Sequence, residues 1–315
     1  MLRRRFSLCL AALTAALVIS PAARAQTATP PLQVVASFSI LGDLVRAVGG
    51  DAVVVSTLVG PDGDAHVFEP TPTDAQRLAK AQLVVVNGLR FEGWMTRLVK
   101  AAGYKGPVVT ASKGVKPREM AGADSAHGHD HGHAHDHGHA NVDPHAWQDL
   151  ANGVRYVENI RAALVAARPA QAAAINARAA AYSAQLRELD ASVRARFAAL
   201  PASARRVITS HDAFGYFGAA YGIEFIAPQG RSTDSEASAA DVAAIIRQIK
   251  ARQARAVFVE NITNPRLVER IAKEGGGVLG GRLYSDALSA SPEADSYLKM
   301  FEHNTAALLK AMSAR

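Results

Sequence analysis

Three histidines and one aspartate stand where a chain can present a side chain to a ligand. His66 sits in Gly60-Pro61-Asp62-Gly63-Asp64-Ala65-His66, a turn-rich loop after an apolar run. His145 sits in Asp143-Pro144-His145-Ala146-Trp147, just before a helical pattern. His211, in Ser210-His211-Asp212, and Asp286, in Tyr284-Ser285-Asp286, each follow an apolar run. Three imidazole nitrogens and one carboxylate oxygen suit Zn²⁺, which has no ligand-field geometry to satisfy and takes N and O donors at about 2.0–2.2 Å in a tetrahedron. Mn²⁺ is expected with more oxygen donors. Taken singly, each loop histidine reads as a surface or helix-end residue. Two of the four come from each half of the chain, so a cleft between two lobes could gather them.

A second histidine feature differs in kind. His127, His129, His131, His133, His135, His137 and His139 alternate with Gly, Asp and Ala. Such a tract binds Zn²⁺, Ni²⁺ or Cu²⁺ in many interchangeable ways, weakly and without defining one rigid site. Its expected role is capture, buffering or sensing of zinc beside the main site. Of the 11 histidines, only His303 is left as an ordinary surface residue.

The elements that position these residues follow an alternating pattern. Apolar runs at 33–37, 53–58, 83–86, 108–110, 206–209, 223–227, 256–260 and 278–284 read as buried parallel strands. Helical patterns separate them, with Ser39, Thr73-Asp74 and Ser238-Asp241 as expected helix starts and 293–312 as the last helix. Pro169 to Leu200 carries one apolar stripe, Ile175, Ala179, Tyr182, Leu186, Leu189, Val193 and Phe197, and reads as a single long helix. Residues 113–141 are poor in large apolar side chains and read as a long mobile insertion. The fold class is α/β, with two Rossmann-like lobes of parallel sheet joined by one long helix. The expected division is 26–167 for the first lobe, 168–200 for the linking helix and 201–315 for the second. Ligands of such sheets bind beyond the carboxyl ends of the strands.

Residues 1–25, MLRRRFSLCLAALTAALVISPAARA, read as a secretory signal peptide. Arg3, Arg4 and Arg5 precede an apolar stretch too short for a good membrane span, and Ala23-Arg24-Ala25 is a small-x-small cleavage site. Removing 25 of 315 residues leaves 290, and taking away four arginines and no acid lowers the formal charge from +7 to +3. Cys9, the only cysteine, leaves as well. A thiol-free, mildly basic chain suits an oxidising compartment and gives no reason to expect nucleic acid as a partner. The expectation is a soluble periplasmic monomer. It is not expected to be an enzyme: a catalytic zinc needs an open position and a general base, and neither an HExxH nor a GxSxG pattern is present.

The segments GPDGDAHVFEPTPTD, DPHAW, SHDAFGYF and LYSDAL together resemble the four ligand loops of the ZnuA/TroA-like solute-binding proteins of metal ABC transporters. The resemblance covers nearly all of the mature chain. It implies His66, His145, His211 and Asp286 as ligands, metal held between two lobes, and delivery to a membrane permease driven by a cytoplasmic ATPase, with a periplasmic zinc chaperone as a further partner. The manganese branch typically has a carboxylate at the third position, where this chain has His211, so the resemblance favours Zn²⁺. A manganese-binding homologue is the alternative, as is a zinc buffer or adhesin working mainly through the histidine tract. Asp64, Glu69, Asp143, Asp212 and Glu260 are candidate acceptors for the outer ring N–H of a ligating histidine, or else surface acids and helix caps.

Overall fold

The structure is a computed structural model describing residues 30–119, 142–230, 233, 238–252 and 256–313. Residues 1–25, read as a signal peptide, and the histidine tract lie outside the described residues.

The first half forms a parallel sheet from β1 (Leu32–Phe38), β2 (Val53–Val59), β3 (Leu83–Val86) and β4 (Val108–Thr110), in the order β2-β1-β3-β4. The second repeats the arrangement with β5 (Arg206–Ile208), β6 (Glu224–Ile226), β7 (Ala256–Glu260) and β8 (Val278–Leu283), in the order β6-β5-β7-β8. Every pairing between these strands is parallel. β3 is the plain case: four consecutive β-branched or leucine side chains, all buried, as a strand covered on both faces requires. In each sheet the chain steps to one side of its first strand and then to the other. That switch point opens a crevice at the carboxyl ends.

Helices α1 (Ser39–Gly49), α2 (Pro72–Lys80), α3 (Met95–Ala101) and α4 (Leu150–Ala167) accompany the first sheet. Between the two halves runs α5 (Ala172–Ala198), 27 residues and about 40 Å long at 1.5 Å per residue. α6 (Gly215–Tyr221), α7 (Ala239–Arg252), α8 (Pro265–Gly275) and α9 (Tyr297–Ser313) accompany the second sheet. Ile175, Ala179, Leu186, Val193 and Phe197 of the α5 stripe are buried. α5 packs on α1 and α4 from the first half and on α6 and α9 from the second. One apolar core therefore runs from Leu32 through Trp147 and Phe217 to Met312. The face of the second sheet under α7 and α8, with Ile208, Val257 and Ile271, has a separate cluster.

Several local expectations change. Ser39 is inside α1 and caps nothing; its hydroxyl accepts the Leu288 N–H instead. α2 is capped by Thr71, not Thr73, in a reciprocal capping box with Asp74. Helix α9 starts at Tyr297, because 293–296 form turns that direct Glu293 to the Tyr284 hydroxyl. β8 is an expected strand that carries a bulge. Gly281 has φ 109°, and Gly280 is the extra residue, where a Cβ would lie 2.5 Å from the Phe258 ring. The start of the 113–141 segment is tied down: Val115 is buried, Arg118 donates its N–H to the Tyr216 hydroxyl, and Glu119 pairs antiparallel with Val142.

Candidate metal centre

The four candidate ligands meet at one point. One donor atom from each of His66, His145, His211 and Asp286 lies within 4.8 Å of all the others. His66 follows β2, His211 follows β5 and Asp286 follows β8, while His145 enters from the segment after β4. All four thus arrive from carboxyl ends of strands, and two come from each half.

The short separations match those of a coordination shell. His66 Nε2 lies 3.3 Å from His145 Nε2 and 3.0 Å from Asp286 Oδ2. His211 Nε2 lies 3.1 Å from Asp286 Oδ2, and His145 Nε2 lies 3.6 Å from Asp286 Oδ1. Donors at about 2.0–2.1 Å from a tetrahedral ion stand roughly 3.3–3.4 Å apart. Asp286 Oδ1 is fully buried yet has no well-formed hydrogen bond. A buried carboxylate oxygen left in this way is costly unless a cation shares it.

Protein carboxylates orient the rings from behind. His145 Nδ1 is 2.8 Å from Asp143 Oδ1, which also accepts the His145 backbone N–H at 2.9 Å. His211 Nδ1 is 2.7 Å from Glu260 Oε2, close but off the ideal hydrogen-bond line. Glu260 Oε1 accepts the Ser210 and His211 backbone N–H groups. These contacts place the proton on Nδ1 and leave Nε2 for a metal. Asp64 acts on the backbone, accepting the His66 N–H at 2.9 Å. Glu69 is exposed and reaches no ring. Asp212 does not cap α6, which begins three residues later, and bonds no ring; its N–H donates to Gly230 O.

The charges oppose one another strongly. Burial works against a proton on His145, but Asp286 and Asp143 outweigh it and hold the ring at about 9. Burial likewise opposes charge on His211, and Glu260 with Asp286 reverses this, raising it well above the ordinary imidazole value. His66 is lowered, because burial exceeds the help from Asp286. Burial would raise Asp286, yet His145 and His211 hold its carboxyl well below the usual range. Positive charge is what this pocket lacks, and protons on two rings supply it in the metal-free protein.

Other contacts were invisible to sequence reasoning because their partners are remote. Trp147 Nε1 and Gln148 Nε2 both donate to Ser285 O, fixing the peptide before Asp286. Trp94 Nε1 donates to Ala65 O, just before His66. Phe91 sets its ring edge against His66. The tryptophan after His145 was visible in the sequence, but not the residue it grips 138 positions away.

Replacing Glu260 by Gln is expected to weaken metal binding by about 10–100-fold. Gln keeps an oxygen for the two backbone N–H groups but can turn an NH₂ toward His211 Nδ1. The proton then moves to Nε2, where the metal should bind. Calorimetric titration of E260Q against wild type checks this.

Two parallel α/β lobes, a long helix between them and a buried cluster of three histidines and an aspartate define a solute-binding protein of the metal ABC importers. Residues 34–311 match the family described as ZnuA, zinc-uptake complex component A, periplasmic, and the chain belongs to that family. It is 30% identical to the manganese-binding lipoprotein MntA of Bacillus subtilis, over 91% of this chain and 92% of that one. It is 26% identical to the manganese ABC transporter substrate-binding lipoprotein PsaA of Streptococcus pneumoniae, over 91% of each. Among solved structures, the periplasmic zinc binding protein TroA from Treponema pallidum superposes with TM-score 0.80 at 31% identity, covering 90% of this chain and 99% of that one. The manganese-bound periplasmic metal binding protein from candidatus liberibacter asiaticus gives 0.77 at 26%, over 89% and 99%. Members of this family are transport proteins rather than enzymes, and they work outside the cytoplasm with a membrane permease and its ATPase. Among the described residues, no helix is long and apolar enough to cross a membrane.

Proposed function

We propose that this protein binds one Zn²⁺ through His66, His145, His211 and Asp286 and delivers it to a membrane ABC importer. In this reading residues 1–25 direct export, the mature chain works as a soluble periplasmic monomer, and α5 links lobes spanning 26–167 and 201–315. The observation that carries the metal assignment is the donor set: three Nε2 atoms and one carboxylate, buried and closed, with two rings backed by carboxylates. Zinc accepts that set as a tetrahedron, whereas manganese favours oxygen and a higher coordination number. Similarity to TroA, a zinc binding protein, supports this choice. Similarity to MntA and PsaA, both manganese proteins by name, supports the second reading, a manganese carrier.

Uptake separates the two, because Zn²⁺ outcompetes Mn²⁺ at nearly any nitrogen-and-oxygen site and binding competition alone does not. Cells lacking the protein are expected to lose zinc content under zinc limitation and to keep manganese content under manganese limitation, by elemental analysis. Lowered manganese with unchanged zinc would overturn the assignment.

The histidine tract is proposed as a weak auxiliary store. Deleting 127–139 is expected to leave the tight equivalent intact, to remove the weak sites from the titration and to lower uptake under zinc limitation.

A further inference from the structure

The loop that carries His66 is fastened at two points, and the fastenings differ. Trp94 holds Ala65 to the first lobe. Asp62 and Asp64 reach across to the second. The N–H and both carboxylate oxygens of Asp62 are engaged there: the N–H donates to Leu288 O at 2.8 Å, Oδ1 accepts from Asn261 Nδ2 at 2.9 Å, and Oδ2 accepts the Ala290 N–H at 3.0 Å. Asp64 Oδ2 accepts the Thr233 hydroxyl while Oδ1 holds the His66 N–H.

The partners of Asp62 are informative. Asn261 is the residue after Glu260, which backs His211. Leu288 and Ala290 follow Asp286. One exposed side chain therefore joins the His66 loop to segments that control the two donors reached from the second lobe. Asp62 adopts φ 55°, a left-handed conformation uncommon outside glycine but tolerated by Asp and Asn. A conformation of this kind persists only where surrounding contacts hold it. Here the local turn closed by the Gly63 N–H to Gly60 O at 3.2 Å sets the backbone, and the Asp62 side-chain contacts lie across the cleft.

We propose that Asp62 is a positioning residue whose cross-lobe clasp sets how long the metal stays bound. The clasp forms only when the His66 loop is seated against the second lobe. It touches no metal donor, and it is solvent-exposed, so it opens without unfolding the core. Opening lifts His66 and uncovers the ion. Capture depends on encounter with the open cleft, while release waits for the clasp. Loss of Asp62 therefore acts on the dissociation rate and leaves the association rate alone. This inference rests on the proposed ligand set.

The test is stopped-flow displacement of Zn²⁺ by a chromogenic chelator from wild type, Asp62→Gly, Asp62→Asn and Asn261→Ala. Glycine keeps the left-handed backbone and removes the carboxylate. D62G is expected to release metal at least tenfold faster, with an unchanged association rate and an unchanged melting temperature of the metal-free protein. D62N retains one acceptor and is expected to fall between. Dissociation rates within twofold of wild type in both D62G and N261A would overturn the clasp. Absence of a tight zinc equivalent in wild type would instead sink the ligand assignment.

Discussion

Alanine at His211 is expected to abolish tight zinc binding, weakening it by roughly 10²–10³-fold, and transport should fail with it. A four-ligand structural zinc site is worth about 10–16 kcal/mol, so each ligand carries about 3–4 kcal/mol. At about 1.4 kcal/mol per decade, the loss is two to three orders of magnitude. His211 is the sharpest choice because it is fully buried and held between Glu260 and Asp286. Removing it withdraws a donor and also leaves the Glu260 carboxylate facing a cavity with one oxygen unpaired. His66→Ala tests the same set from the other lobe without that second penalty. His303 bonds the Arg282 carbonyl from α9, and its replacement is expected to leave zinc binding unchanged. Calorimetry on the three variants, each with the histidine tract intact, should show the tight equivalent absent in the first two and the weak sites retained in all. A tight equivalent surviving in both H66A and H211A would refute the ligand assignment.

The outcome would also explain why so much was legible in the chain. Long apolar runs such as Leu83–Val86 can be little other than buried strands, and their alternation with helical patterns specifies a parallel sheet. Helix starts were less legible. Thr71 and Thr73 offer the same hydroxyl, and only the position of Pro72 in the first turn decides between them. The four donors were visible because ligands of parallel sheets gather beyond strand ends. The groups that aim them were only partly visible. Asp143 is two residues from His145 and was nameable, whereas Glu260 is 49 positions from His211 and became distinguishable from other acids only when β5 and β7 paired. Asp62 left no signal, since an acid in a glycine-rich turn is ordinary until Asn261 and Ala290 stand opposite.

A pH titration is expected to show zinc affinity rising by about a hundredfold per pH unit from near neutrality toward pH 9, with about two protons released per metal bound. In the metal-free protein, His145, held at about 9, and His211, raised well above its ordinary value, each carry a proton that zinc must displace. His66 is lowered and binds as it stands. Asp286 is already ionised. Two displaced protons give a slope of two in log affinity against pH, flattening once His145 deprotonates unaided. The same shifts govern the stability of the metal-free protein. Because the folded value of His145 lies above the unfolded 6.5, its contribution, roughly 3 kcal/mol, is complete below pH 6.5 and disappears as pH rises through about 9. Asp286 has the opposite sign: its folded value is depressed, so its contribution is present above pH 3.8 and is lost as pH falls through the lower folded value. Metal replaces the ring protons as the counter-charge to Asp286, Asp143 and Glu260. Loaded protein should therefore keep its melting temperature between about pH 7 and 9 while metal-free protein loses stability. Calorimetry in buffers of different ionisation enthalpy counts the protons, and a count near zero at about pH 7 would show that the rings are neutral before metal arrives.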